Sequence, residues 1–335
     1  MILDIHAHVC AAPELYAWKD QIFSARGALG ARERKWDVEW VRNHPVTRNN
    51  IAILDKVGTD MQLISPRPYS QSHAEQPGKL AHYWNIGVNN YIAKVVEAHP
   101  LRFRGVAGLP QPVGRPVEES LPELERCVRE LGFVGTLLDT DPGEGDNSTP
   151  TLDNEYWYPL YAKLVELDVP ALIHSTGCKG RESYSHHFIS EESLAVVSLC
   201  NSRVFVDFPQ LKIIVAHGGG SVPYQVGRWR AERGLPGWSS PHGVVESFDD
   251  SLGRLSFDTC LHERRSLELL LGLVGSRRIL FGTENPGAGS AVDPRTGRTY
   301  DDIKPTIEEI PGLTAEDRHN IFEGNARRLY TRLNT

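Results

Sequence analysis

Short apolar runs rich in β-branched residues recur eight times along this 335-residue chain, each followed by polar or glycine-rich residues and then by helical periodicity. The runs are Met1–Ile5, Met61–Ser65, Arg104–Leu109, Val134–Asp139, Val169–His174, Leu211–His217, Arg254–Asp258 and Arg278–Phe281. Amphipathic stretches lie between them, among them Lys79–Ala98, Val117–Leu131, Tyr156–Leu167, Glu191–Phe208 and Ser266–Val274. Strands alternating with helices over a whole chain imply parallel βα units. Runs that are apolar throughout imply strands covered on both faces. Eight of them predict an α/β fold of the (β/α)8 TIM-barrel type. A doubly wound open sheet is the competitor, but no G-x-G-x-x-G or P-loop pattern follows any run.

Barrels of this size are usually single domains, so residues 1–335 are read as one domain with a core of ample size. Three segments distort the minimal pattern. Ala11–Asn50 is a long insertion after the first run, and Gly143–Pro150 and Gly177–Ser185 are shorter loops. All three follow strand ends, which places them on the C-terminal, catalytic face as lids or pocket walls. The tail Ala315–Leu333 reads as a closing helix, with Arg327, Arg328 and Arg332 near its end, where cations suit the helix dipole.

Charge and cysteine usage exclude several function classes. The 36 basic and 43 acidic residues are interspersed and leave a net charge of −7, with no basic arm for nucleic acid or a membrane surface. No apolar run reaches transmembrane length and no signal-peptide pattern opens the chain. A soluble cytoplasmic protein is expected. The five cysteines, Cys10, Cys127, Cys178, Cys200 and Cys260, are dispersed and form no C-x-x-C, which fits reduced thiols. A homo-oligomer is compatible with such a barrel, and the Trp-containing insertion is one surface that could contribute.

The chemistry shows in the polar residues at strand ends. Alternate residues of a strand share a face, so His6 and His8 project side by side from the first strand's C-terminal end. Strand five ends at His174, strand six at His217 before Gly218-Gly219-Gly220, and strand eight runs Phe281-Gly282-Thr283-Glu284. One histidine after an apolar strand is ordinarily a hydrogen-bonded core residue. Four histidines and a carboxylate, all at the end where parallel barrels build active sites, predict a metal centre instead.

With that placement, the chain resembles the amidohydrolase superfamily, and within it amidohydrolase family 2, the aminocarboxymuconate-semialdehyde-decarboxylase-like branch. Longer stretches resemble the 4-oxalomesaconate hydratase group of that branch. They include Gly58 to Pro68, Val106 to Gln111, Tyr156 to Tyr161, His217 to Gly220 with Pro223-Tyr224-Gln225, and Phe281 to Glu284. Decarboxylases of the branch typically carry Asp after the strand-eight Phe-Gly-Thr/Ser, whereas this chain has Glu284, as the hydratase group does. The resemblance therefore implies a hydro-lyase that adds water to the C=C bond of an unsaturated oxo-carboxylic acid from aromatic ring cleavage, such as 4-oxalomesaconate. A non-oxidative decarboxylase of an aromatic or muconate-type acid, a lactone or C–C hydrolase, and a non-enzymatic binding protein are the rival readings.

The roles that follow are specific. One divalent ion, zinc by preference, would be held by His6, His8, His174 and Glu284 with a position left open. Glu284 would also serve as general base, His217 would orient water or stabilise developing charge, and Tyr184 would supply a proton. The substrate is a small carboxylic acid, and arginine matches carboxylate bidentately. Arg67, between Pro66 and Pro68, and Arg228, on the helix after the triple glycine, are the candidate clamps. Ser65, Asp139 and His187 are further candidate pocket residues. Asp139 stands where the resemblance implies Asn nearby, and needs a proton or a partner to sit beside a carboxylate.

Overall fold

In the computed structural model, which describes residues 1–239, 244 and 246–334, eight parallel strands follow one another around a ring in chain order. They are β1 (Leu3–His8), β2 (Met61–Ser65), β3 (Phe103–Ala107), β4 (Gly135–Leu138), β5 (Ala171–Ile173), β6 (Ile213–Val215), β7 (Ser256–Asp258) and β8 (Ile279–Leu280). Each pairs with the next, from Leu3 opposite Met61 to Asp258 opposite Leu280. Hydrogen bonds from Ile5 N to Phe281 O (2.9 Å) and from Glu284 N to His6 O (2.7 Å) join the last strand back to the first. This is the (β/α)8 barrel expected from the eightfold alternation.

Most ladders are shorter than the apolar runs that announced them. Val169 and Leu211 are buried but lie outside β5 and β6, because apolarity reports burial whereas a strand requires ladder hydrogen bonds. β1 departs in the other direction: it reaches His8, so both histidines of the His-x-His lie within the strand rather than past a strand ending at Ile5. Its register shifts between Asp4 and Ala7, an irregularity of the kind that re-aims side chains beside active sites.

The ring is filled by Leu3, Leu63, Val106, Leu137, Leu172, Ile214 and Leu280. Tyr330 seals its floor, packing below Gly135 at the start of β4. Outside the ring, α4 (Lys79–Ala98), α5 (Leu121–Arg129), α6 (Tyr158–Leu167) and α10 (Arg264–Val274) bury their apolar stripes against the strands. The insertion after β1 forms α1 (Pro13–Ser24), α2 (Val38–Asn43) and the start of α3 (Pro45–Val57). Its tryptophans turn toward the flank of the barrel: Trp18 lies 6.1 Å from Trp84 and Trp36 lies 5.0 Å from Tyr91, both partners on α4. Gly87 of α4 makes room, since a β-carbon there would overlap the Trp18 ring. Aromatic burial has drawn this segment onto α4.

Two helices differ from their sequence reading. The stretch read as Glu191–Phe208 is α7 (Tyr184–Cys200) followed by α8 (Val204–Asp207). The helix starts early because Ser183 caps it, its hydroxyl accepting from His186 N, so polar residues that read as loop form the first turn. The closing segment is not one regular helix. Ala315–His319 is opened by a Thr314–Asp317 capping box, then a π-helical turn spans Asn320–Gly324 before Asn325–Leu329. No helix among the described residues is long and apolar enough to cross a membrane.

Candidate metal centre and active-site cleft

At the C-terminal end of the ring, β1, β5, β6 and β8 bring ligand atoms of His6, His174, His217 and Glu284 within 4.8 Å of one another, with His8 beside Glu284. The Glu284 Oε1 atom lies 3.1 Å from Nε2 of His8 and 3.5 Å from Nε2 of both His6 and His174. Its Oε2 atom lies 3.6 Å from Nε2 of His217. Four imidazoles therefore present the same ring nitrogen to one carboxylate. The backbone at His217 (φ 48°) and Glu284 (φ 57°) is left-handed, which aims two side chains that regular strand geometry would not turn inward.

Each ring is fixed from behind by its other nitrogen. The Nδ1 atom of His6 meets Asp258 Oδ2 at 2.5 Å, and that of His8 meets the Ser65 hydroxyl at 2.9 Å. His174 Nδ1 donates to the Ser175 carbonyl at 2.7 Å, and His217 Nδ1 meets both oxygens of Glu192 at 2.8 and 3.0 Å. An acceptor facing Nδ1, whether carboxylate, carbonyl or the Ser65 hydroxyl that itself donates to the Ala7 and Pro66 carbonyls, keeps the proton there and leaves Nε2 to act as a ligand. The Nε2 atom of His6 is buried without a hydrogen-bond partner. An orphaned imidazole nitrogen among three others and a carboxylate is the donor chemistry of a divalent metal site, and the residues fit one.

The electrostatics divide the four rings into two pairs. Burial disfavours charge on His8, holding it down to about 3 in spite of Glu284, and it lowers His174 as well. At His6 burial is outweighed by Asp258 and Glu284, which push it up to about 9. At His217 burial is outweighed by Glu192 and Glu284, and its proton is held well above the usual imidazole range. Burial works against charge on Glu284, but the four histidines hold its carboxyl well below the usual range. The result is two neutral imidazoles beside a fixed carboxylate.

The centre opens into a cleft of about 440 Å³ whose polar wall holds Arg67, His8, His217, His262 and Glu284. The apolar part of its lining includes Phe188, Ile189 and Leu261, with Tyr69 and Tyr184. Tyr184, the first residue of α7, is half exposed at the rim. Arg67 has no carboxylate partner among the described residues; its neighbours are Cys10 and Tyr16. Residues 11–50 contribute nothing to the lining.

Four other candidate residues lie elsewhere. Ser65 stands behind the centre, against His8, rather than in the cleft. Asp139 is buried away from the cleft, where it accepts from Thr176 (2.8 Å) and meets His73 Nδ1 at 2.7 Å, so the acid has the partner it needs. His187 is buried beside Asp141 (3.2 Å), because the cleft-facing stripe of α7 carries Tyr184, Ser185, Phe188 and Ile189. Arg228 faces solvent on α9 (Val222–Arg233).

Sequence reading missed Asp258, Glu192 and Cys260. Asp258 ends the seventh run, so the strand-end rule that found the histidines would have found it. Glu192 lies four and eight residues after Phe188 and Tyr184, a helical stripe visible only once the helix begins at Tyr184. Cys260, whose Sγ is 3.6 Å from Glu284, carries no local signal.

The chain is similar to several known proteins. The amidohydrolase family model (Amidohydro_2) matches residues 3–332. A 2-keto-4-carboxy-3-hexenedioate hydratase of Sphingobium sp. is 35% identical, over 99% of this chain and 97% of its own. A crystal structure of 4-oxalomesaconate hydratase from Rhodopseudomonas palustris superposes with a TM-score of 0.86 at 32% identity, covering 100% of this chain and 97% of that one. A 2-amino-3-carboxymuconate-6-semialdehyde decarboxylase of Dictyostelium discoideum is 28% identical over 82% of this chain and 73% of its own.

Proposed function

Starting from the fact that this chain belongs to the amidohydrolase family, we propose that it is a metal-dependent hydro-lyase. It adds water across the C=C bond of an unsaturated oxo-carboxylic acid from aromatic ring cleavage, such as 4-oxalomesaconate. The similarity to two hydratases along nearly the full length of both chains supports this reading. The observation that carries it is the position of Glu284. One of its oxygens faces three imidazoles while the other faces His217 and the cleft, so a single carboxylate can both ligate and accept a proton.

His6, His8, His174 and Glu284 are the residues that would hold the ion, and their nitrogen–oxygen donor set favours zinc. When bound, a zinc ion supplies the Lewis acidity that makes water a competent nucleophile at neutral pH. The protein's own groups do the rest. Arg67 grips a substrate carboxylate with its planar fork, which fixes the double bond relative to Glu284. Phe188, Ile189 and Leu261 cover the conjugated carbon chain and keep bulk water away. Glu284 takes a proton from the attacking water as its oxygen bonds to one alkene carbon. The π electrons move to the neighbouring carbon and its oxo group, and Tyr184 at the rim protonates that carbon. His217, charged through Glu192, stabilises the negative charge as it develops.

Incubation of the purified protein with 4-oxalomesaconate tests the reading. Loss of conjugated absorbance with no CO2 release is expected. Stoichiometric CO2 would replace hydration by decarboxylation, and elemental analysis giving a metal other than zinc would overturn that choice of ion.

A further inference from the structure

On the floor of the barrel, opposite the cleft, the starts of β6, β7 and β8 and the helix Asn325–Leu329 enclose a second concavity of about 330 Å³. Its charged lining is entirely cationic: Lys212, Arg254, Arg278 and Arg328, with Gln210 and Ser256 as neutral polar groups. Two of the cations are neutralised from outside the concavity, Lys212 by Asp168 and Arg254 by Glu246 (2.9 Å). The other two are not. The Arg278 side chain is half-buried and makes no hydrogen bond or ion pair with any described residue. Arg328 donates only to the Arg277 carbonyl (2.8 Å) and the Asn325 side-chain oxygen (3.0 Å), neither of which offsets its charge.

Gathering unpaired guanidiniums in a partly desolvated hollow opposes folding twice. Burial and the Arg254 charge both act against the charged form of Arg278, and burial, Arg278 and Arg277 act against Arg328. In a chain whose net charge is −7, such a hollow without one carboxylate in its lining is a local reversal of sign. A guanidinium presents five donors in a fork that matches oxyanion geometry, and two of them beside neutral donors form a preorganised anion receptor.

We propose that this concavity binds a small multivalent oxyanion, a phosphate group or a polycarboxylate, held by Arg278 and Arg328 with Gln210 and Ser256 in support. The site is remote from the catalytic cleft and stands independently of the function read there.

Calorimetric titration of the full-length protein tests it, with inorganic phosphate in one arm and tricarballylate in the other. At least one anion is expected to bind the wild type, and the arm that does identifies its source. Arg278→Gln and the more exposed Arg328→Gln should each weaken binding about tenfold, the order expected for one hydrogen bond to a charged group. Arg67→Gln, in the cleft, should leave this binding intact. No binding in either arm overturns the proposal. So does binding that both floor variants retain, or binding lost on Arg67→Gln and kept in the floor variants.

Discussion

Replacing Asp258 by Asn changes one oxygen to an amide in a fully buried position, and the hydrogen-bond inventory dictates the outcome. Asp258 accepts three bonds: from His6 Nδ1 at 2.5 Å through Oδ2, and from Gly218 N and Cys260 N, both at 3.1 Å, through Oδ1. An asparagine has one accepting oxygen. If that oxygen stays with the two backbone donors, the amide NH2 faces His6 and forces its Nδ1 to accept. The His6 proton then moves to Nε2, the atom aimed at the centre, and a ligand becomes a donor. If the amide flips, two buried backbone N–H groups face another donor, at a cost of about 1–3 kcal/mol each. The first arrangement leaves the fold less disturbed, so the effect should appear in metal affinity. Loss of such an outer partner weakens metal binding by about 10–100-fold, or about 1.4–2.8 kcal/mol. Competition with a chromophoric chelator measures this directly, and turnover at saturating metal shows what remains when occupancy is restored. An Asp258→Asn protein with wild-type metal affinity, unchanged turnover and an unchanged melting temperature would refute the tautomer argument.

The remaining predictions concern the cleft, the insertion and pH. Glu284→Gln keeps size but removes the base, so kcat should fall by about 10²–10⁴ with the far-ultraviolet circular dichroism spectrum unchanged. Removing metal with a chelator should abolish turnover and lower the melting temperature, and zinc should restore both in a concentration-dependent way. Gly87→Ala forces a β-carbon into the Trp18 ring and should destabilise the protein by about 1–3 kcal/mol, read by denaturant titration. Burial, then Asp141, pushes the Glu191 carboxyl up to about 7. A carboxyl raised above its unfolded value binds more protons when folded, so it weakens the fold as pH rises from about 4.5 to 7. Glu191→Gln should flatten that decline, by about 1–2 kcal/mol once partial exposure is discounted.

Much of the fold was legible because burial imposes a composition. β2 and α4 fell on the residues expected, Met61–Ser65 and Lys79–Ala98, where apolar pattern and hydrogen-bonded element coincide. Boundaries elsewhere moved where a local cap or a bulge intervened, as at Ser183 and in β1. Of the candidate site, the residues at strand ends were legible, because a parallel barrel brings all eight C-terminal ends to one face whatever the helices do. Residues expected beside them from the chain alone fared differently. Ser65 ends β2 and Asp139 follows β4, yet both are turned to partners, His8 and His73, that neighbourhood in sequence does not reveal.

Periodicity and strand-end chemistry in the sequence alone thus determined a barrel with four histidines and Glu284 at its mouth. Tertiary structure decided which nitrogen each histidine presents. That choice is made by Asp258, Ser65, Ser175 and Glu192, and only Ser175 is adjacent in the chain to the histidine it holds. The others come from separate strands and helices, so their contacts exist only when the ring has closed. An imidazole becomes a ligand by what lies behind it, and what lies behind it is set by packing.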